Sequence, residues 1–181
     1  MLVRVAIIFM ILLASTVQAS QNDERLALLF KELQAAPSAG EAKVIEIQIR
    51  SIWMESEQEE INILMQKGSL ALAMQEFPVA IQIFDLIVQK KPDFAEAWNK
   101  RAITHYLMEN YDESAKDIQK VIVLEPRHFN AMSGLGFIHT KLGRYDEALK
   151  VFQKISEIYP KFEGLEMYLS CLKKAVEATR I

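Results

Sequence analysis

The chain should fold into helices alone, as a right-handed α-solenoid of three helical hairpins set between an N-terminal helical hairpin and a C-terminal capping helix. Pro92, Pro126 and Pro160 stand 34 residues apart and close blocks 61–94, 95–128 and 129–162, which align with no insertion or deletion. Each block holds a small residue at its eighth place, namely Gly68, Ala102 and Gly136, where two helices of a hairpin must approach closely. Each also carries an apolar stripe at helical spacing: Phe77, Tyr111 and Tyr145, then Ala80, Ser114 and Ala148, then Phe84, Ile118 and Phe152, then Ile87, Val121 and Ile155. A unit of this length cannot bury its apolar face alone. Stacking the units buries it and leaves one long concave face free, so function becomes a question of what that face holds.

Residues 1–19 read as a signal peptide. Arg4 precedes an unbroken apolar run from Val5 to Leu13, and Val17-Gln18-Ala19 offers small residues for cleavage after Ala19. The run is well short of the roughly 20 apolar residues of a spanning helix. No cysteine follows it to carry a lipid, so the mature chain is expected in a bacterial periplasm with no stable membrane anchor. Residues 20–55 come next as a helical hairpin too short to be a full repeat. Leu26, Leu29, Phe30 and Leu33 form one stripe, Ile45, Ile49, Ile52 and Trp53 a second, and Ser38 with Glu41 forms a capping pair in the turn after Pro37.

The three hairpins occupy residues 56–162. Their starts are marked by Ser56 with Glu59, Asp93 with Glu96 and Asn110 with Glu113, each a short polar acceptor three residues ahead of a glutamate. The acidic stretch from Glu55 to Glu60 reads as a solvated first turn favoured by the helix dipole rather than as a cation site. Residues 163–181 form the cap, with Leu165, Leu169, Leu172 and Val176 facing inward and Lys173, Lys174 and Glu177 outward.

Over residues 61–162 the chain resembles the tetratricopeptide repeat family, whose 34-residue unit has apolar, small and aromatic residues and proline at these places. The third block matches best, through Leu135-Gly136, Leu142-Gly143, Tyr145, Ala148, Phe152 and Pro160, and Trp98 matches the leading aromatic in the second. Two departures stand out. Lys67 and Arg101 replace a usual leucine and should bury their stems while keeping charge in water. Ile87, Val121 and Ile155 replace a usual alanine, which implies wider helix spacing.

The resemblance implies that the first helix of each unit lines the groove. Carried over place by place, the groove would present Asn62, Met65 and Ser69, then Glu96, Asn99, Lys100, Ile103, Tyr106 and Leu107, then Asn130, Ser133, Phe137, Thr140 and Lys141. That surface suits an extended or helical peptide, with amide side chains meeting its backbone and Ile103, Tyr106 and Phe137 taking its side chains. Equally, the chain's own terminal helices could cover these three. The family's site for a chaperone's terminal carboxylates uses Lys, Asn and Arg at places that here hold Met65, Ser69, Lys100, Asn130 and Gly134, so an acidic C-terminal tail is not the expected ligand.

Other functions find little support. With 21 basic and 24 acidic residues the net charge is −3, or −4 once Arg4 is removed, and no basic patch suits nucleic acid or anionic lipid. No nucleophile setting or phosphate loop follows a strand, so no enzyme activity, cofactor or metal is expected. His105 and His139 share one place in successive units, but neighbouring helices lie on the order of 10 Å apart, too far for joint ligation. His128 opens the third unit and is expected at the surface. Cys171, the single cysteine, is expected as a buried small hydrophobe, though it could join two copies. The sequence therefore describes a protein-binding scaffold of the cell envelope. The rival is a structural module that associates weakly with itself and covers its groove with its own ends.

Overall fold

The computed structural model describes residues 24–179, and these form nine α-helices with no strand among them. The N-terminal hairpin is α1 (Glu24–Ala35) and α2 (Ala39–Met54). The repeats follow as α3 (Glu59–Ala73) with α4 (Phe77–Lys90), α5 (Ala95–Leu107) with α6 (Tyr111–Leu124), and α7 (Phe129–Lys141) with α8 (Tyr145–Ile158). Helix α9 (Leu165–Thr179) caps α8. The expected signal peptide lies outside the described residues, and no described helix is long and apolar enough to cross a membrane.

Each hairpin closes where its two stripes meet. Phe84, Ile118 and Phe152 are buried, and the residue facing each is sized to match. A Cβ added at Gly68 would lie 2.7 Å from Phe84, and one at Gly136 would lie 2.6 Å from Phe152. Where the second repeat carries the smaller Ile118, alanine stands at 102. Ile87, Val121 and Ile155 are fully buried in the same seams. Between hairpins, α4 packs on α5 and α6 on α7. The first helices α3, α5 and α7 also touch in succession, while no comparable contact joins α4 to α6 or α6 to α8. Close inner spacing and splayed outer spacing curve the stack, with α3, α5 and α7 on the inside.

The turn within each repeat takes one residue into the left-handed region: Gln75 at φ 61°, Glu109 at φ 60° and Gly143 at φ 69°. The following amide then reaches back five residues, as in Asn110 N–H to His105 O at 2.9 Å and Arg144 N–H to His139 O at 2.8 Å, satisfying carbonyls at the helix end.

Several local expectations need correction. Ser38 caps α2 as expected, accepting from Glu41 N–H at 3.2 Å. Ser56 does not pair with Glu59, because α3 starts too late. Its backbone N–H and C=O instead hold the Asn62 amide, both at 2.8 Å. Asn110 stands at the N-cap of α6 but makes no side-chain capping bond there. Cys171 is exposed on α9 rather than buried. Arg101 does not hold its charge in water. It donates to Asp117 twice, at 2.6 and 2.7 Å, and to Asp85 at 2.7 Å, and lies 4.7 Å over the Trp98 ring, tying α4, α5 and α6 together. These carboxylates, Asp117 foremost, push the guanidinium pKa up against the opposing effect of burial.

The N-terminal hairpin does not extend the solenoid. It folds back along the repeat junctions, so that Leu26, Phe30, Leu33, Ile49, Ile52 and Trp53 share a core with Phe129, Met132, Tyr159 and Leu165. Gln34 Nε2 donates to Glu157 O at 2.8 Å, Tyr159 O–H donates to Glu46 at 3.2 Å, and Arg127 lies 4.3 Å over the Phe30 ring. Burial, with the Glu46 charge, pushes the Tyr159 phenol up.

Candidate protein-binding groove

The inner helices carry the groove, and the returning hairpin divides it. Its N-terminal half is closed by a buried polar cluster centred on His128. That residue is fully buried, not exposed, and its ring stacks on Trp53 with centroids 4.0 Å apart and planes 9° apart. His128 Nδ1 accepts the Ala131 N–H at 3.2 Å, capping α7, so the ring proton sits on Nε2 and is donated to Glu96 at 3.0 Å. Glu96 is buried and also receives Asn99 Nδ2 at 3.0 Å and Lys100 at 3.5 Å. Burial pushes the Glu96 carboxyl up. The hydrogen bond from His128, with Lys100 and Asn99, outweighs it and holds the group below its usual range.

Several residues expected in the groove are therefore used by the fold itself. Met65 is buried in the first-repeat core with Ile61 and Phe84. Glu96 is sealed under His128, Lys100 is half-buried against Glu96, and Asn62 is held by Ser56. Ser69 is half-buried, its hydroxyl shielded and without a hydrogen-bond partner. Leu107, Thr140 and Lys141 lie exposed at the far ends of α5 and α7.

The rest converge. Asn99, Ile103, Tyr106, Asn130, Ser133 and Phe137 line one cleft of about 270 Å³ between α5 and α7, floored by Ala102, Ser114, Ile118, Ala131 and Gly134. The small floor residues give it depth. A Cβ on Gly134 would already stand 3.3 Å from Ile118. Asn99, Asn130 and Ser133, toward the N-terminal ends of α5 and α7, supply its polar lining, Ile103, Tyr106 and Phe137 the apolar lining further along, and no charged side chain lines it. Tyr106 is fixed against Tyr111 at 5.5 Å, and Phe137 against Phe152 and Tyr168 at 5.6 and 5.3 Å. Phe137 is thus partly covered by the cap, whereas Ile103 is open to solvent.

His105 and His139 each hold a shielded Nδ1 with no hydrogen-bond partner, and burial lowers the pKa of His139. No group of three or more His, Cys, Asp or Glu able to hold a metal occurs among the described residues. The burial of His128 was missed because a repeat-opening residue is ordinarily wet. The available signal was its place in the unit, shared with Phe94 and Phe162, which marks an apolar site.

Comparison with known proteins agrees with this architecture. Residues 93–161 match the family model for the tetratricopeptide repeat. A TPR repeat-containing protein of Rhizobium etli is 33% identical over 162 residues, covering 90% of this chain and 79% of the relative. The small glutamine-rich tetratricopeptide repeat-containing protein 2 of Saccharomyces cerevisiae is 29% identical over 97 residues, covering 54% of this chain and 28% of that protein. Among solved structures, the first TPR of Spaghetti (RPAP3) bound to the HSP90 peptide SRMEEVD superposes with a TM-score of 0.63 at 17% identity, covering 67% of this chain and 96% of that one. The Sgt2 TPR domain from Aspergillus fumigatus gives 0.62 at 22% identity, covering 68% and 84%.

Proposed function

The chain belongs to the tetratricopeptide repeat family, and from that premise we propose that it is a non-catalytic adaptor of the bacterial cell envelope that holds a peptide or helix of a partner protein in the α5–α7 cleft. The observation that carries this reading is the cleft itself. Asn130 offers its amide group to a bound backbone, while Ile103 and Tyr106 offer an apolar lining for one or two large side chains. The RPAP3 domain shows the same fold with a peptide bound. The ligand class should differ from that acidic peptide, since of the places that would clamp a terminal carboxylate Met65 is buried and Lys100, the one cation among them, is engaged by Glu96.

A photo-crosslinking residue at Ile103 in the native cell tests the reading, with one at the exposed Val123 of α6 as control. A discrete adduct from 103 that is absent from 123 and lost in an Asn130→Ala, Tyr106→Ala background is expected. Equal labelling from both positions would remove the cleft from the account. Export is a separate part of the proposal, motivated by the apolar run and the small residues before Ser20. A mature N-terminus at Ser20 in the osmotic-shock fraction is expected, and an intact N-terminus retained in the cytosol would refute it.

A further inference from the structure

We propose that the first repeat carries a second docking surface, its open stacking face on α3, which takes an amphipathic helix of a partner bearing an acidic residue opposite Lys67. The inference is independent of the α5–α7 cleft and rests on the chain's own repetition. In the second and third repeats the corresponding face is covered by the preceding hairpin. Ala97 joins the core of α4, and Ala131 and Ile138 join the core of α6. Those residues and Thr104 are at most 2% exposed. At the same places in the first repeat stand Ile63, 42% exposed, and Leu70, 62% exposed. No described helix precedes that repeat in the stack, because α2 folds away toward α5. Two large aliphatic residues thus stand in solvent where this architecture otherwise buries its seam.

Charge narrows the occupant. Between Ile63 and Leu70 lies Lys67, which makes no ion pair among the described residues. Its counterpart Arg101 is satisfied from two sides, by Asp117 of its own hairpin and by Asp85 of the covering helix α4. The first hairpin holds Ile83 where Asp117 stands, and no described helix takes the place that α4 has beside Arg101, so the carboxylate that answers Lys67 would come from the occupant. The run from Val5 to Leu13 contains no acid and does not meet that requirement. A second copy packed symmetrically, α3 on α3, would bring the two Lys67 side chains toward each other. A separate helix shaped like α4, apolar on one face with a central carboxylate, satisfies both the aliphatic pair and the lysine.

The test uses a synthetic peptide of residues 76–92, the α4 segment with Asp85 at its centre, titrated against the full chain by fluorescence anisotropy. Binding is expected to weaken by about tenfold or more in Lys67→Glu and to return when the peptide carries Asp85→Lys. Leu70→Glu should abolish it, while Ile103→Asp in the cleft should leave it unchanged. Circular dichroism confirms that the Leu70→Glu chain is folded. No binding up to millimolar peptide, or binding indifferent to Lys67→Glu, would overturn the proposal. So would a mass that rises with concentration without peptide and falls back in Leu70→Glu, which would make the occupant a second copy. A chain starting at Ser20 that binds where the full chain does not would assign the face to the N-terminal run and overturn it equally.

Discussion

Replacing Gly136 with alanine should destabilise the third repeat, and shrinking Phe152 should rescue it. The new Cβ would sit 2.6 Å from Phe152 Cε2 and 3.0 Å from Cζ. The ring cannot swing aside freely, because it is buried and packed against Phe137 at 5.6 Å and Tyr168 at 4.8 Å. Overpacking of this kind costs about 1–3 kcal/mol, against a gain of about 1 kcal/mol from alanine in a helix interior, leaving a net loss of about 0–2 kcal/mol. Phe152→Ile alone should cost more, about 1–3 kcal/mol, by opening a void beside Gly136. The double variant rebuilds the Ala102 and Ile118 pair of the second repeat, in which both residues are buried. The double-mutant cycle should therefore show a favourable coupling of about 1–2 kcal/mol, measured by urea unfolding followed at 222 nm with m unchanged. Additivity within about 0.5 kcal/mol would refute the reasoning, since it would mean that the glycine and the ring do not meet.

Other sites test the remaining parts of the fold. Glu109→Gly and Gln75→Gly should each raise stability by about 0.5–1 kcal/mol in thermal unfolding, because both side chains are held in the left-handed region, and Gly143→Ala should lower it by about 1 kcal/mol. Replacing His128 with Phe keeps the stack on Trp53 but strips the cap from α7 and a partner from buried Glu96, at a cost of about 2–4 kcal/mol at neutral pH. In the native chain the depressed Glu96 pKa contributes stability that is present above the ordinary carboxyl value of 4.5 and lost as pH falls through the folded value. The His128→Phe chain should instead lose less on acidification, which urea midpoints at pH 7 and pH 4 will show. Arg101→Leu alone leaves Asp117 buried without its partner and should cost about 3–5 kcal/mol, whereas Arg101→Leu with Asp117→Val, copying Leu135 and Val151 of the third repeat, should be close to neutral in the same assay.

The repeat itself was legible because its determinants are local and periodic. Prolines at one spacing, small residues opposite large rings, and apolar stripes fix hairpins and their stacking without knowledge of distant contacts. Helix starts were less so. A short polar residue three ahead of a glutamate is compatible with a cap, yet α3 begins two residues later than Ser56 requires, with the Ser56 hydroxyl accepting from Gln58 N–H instead, and Asn110 reaches the N-cap of α6 without a side-chain bond. The groove list was drawn by place in the unit, and place does not say what lies above. Asn99, Ile103, Tyr106, Asn130, Ser133 and Phe137 meet in one cleft, while Met65 packs into the core of its own hairpin and Glu96 is sealed because Trp53, 75 residues upstream of His128, closes over the junction.

Why the N-terminal hairpin folds back can also be read from the repeat frame. Shifted by one unit, Glu46 falls where Ala80, Ser114 and Ala148 are buried, and Arg50 falls where Phe84, Ile118 and Phe152 fill the hairpin seams. A helix bringing a carboxylate and a guanidinium to those places would bury two charges in an apolar seam, so α2 cannot serve as the outer helix of an additional repeat. Along the junctions it finds a better site. Glu46 there accepts from Tyr159, Lys43 and Arg50 at 3.0–3.4 Å, and the same face of α2 buries Ile49 and Trp53, with Ile52 beside them. The same two residues thus account for both halves of the surface. They send the hairpin over the N-terminal part of the groove, closing it above Glu96, and they leave the first repeat without a neighbour, so that Ile63, Lys67 and Leu70 face solvent.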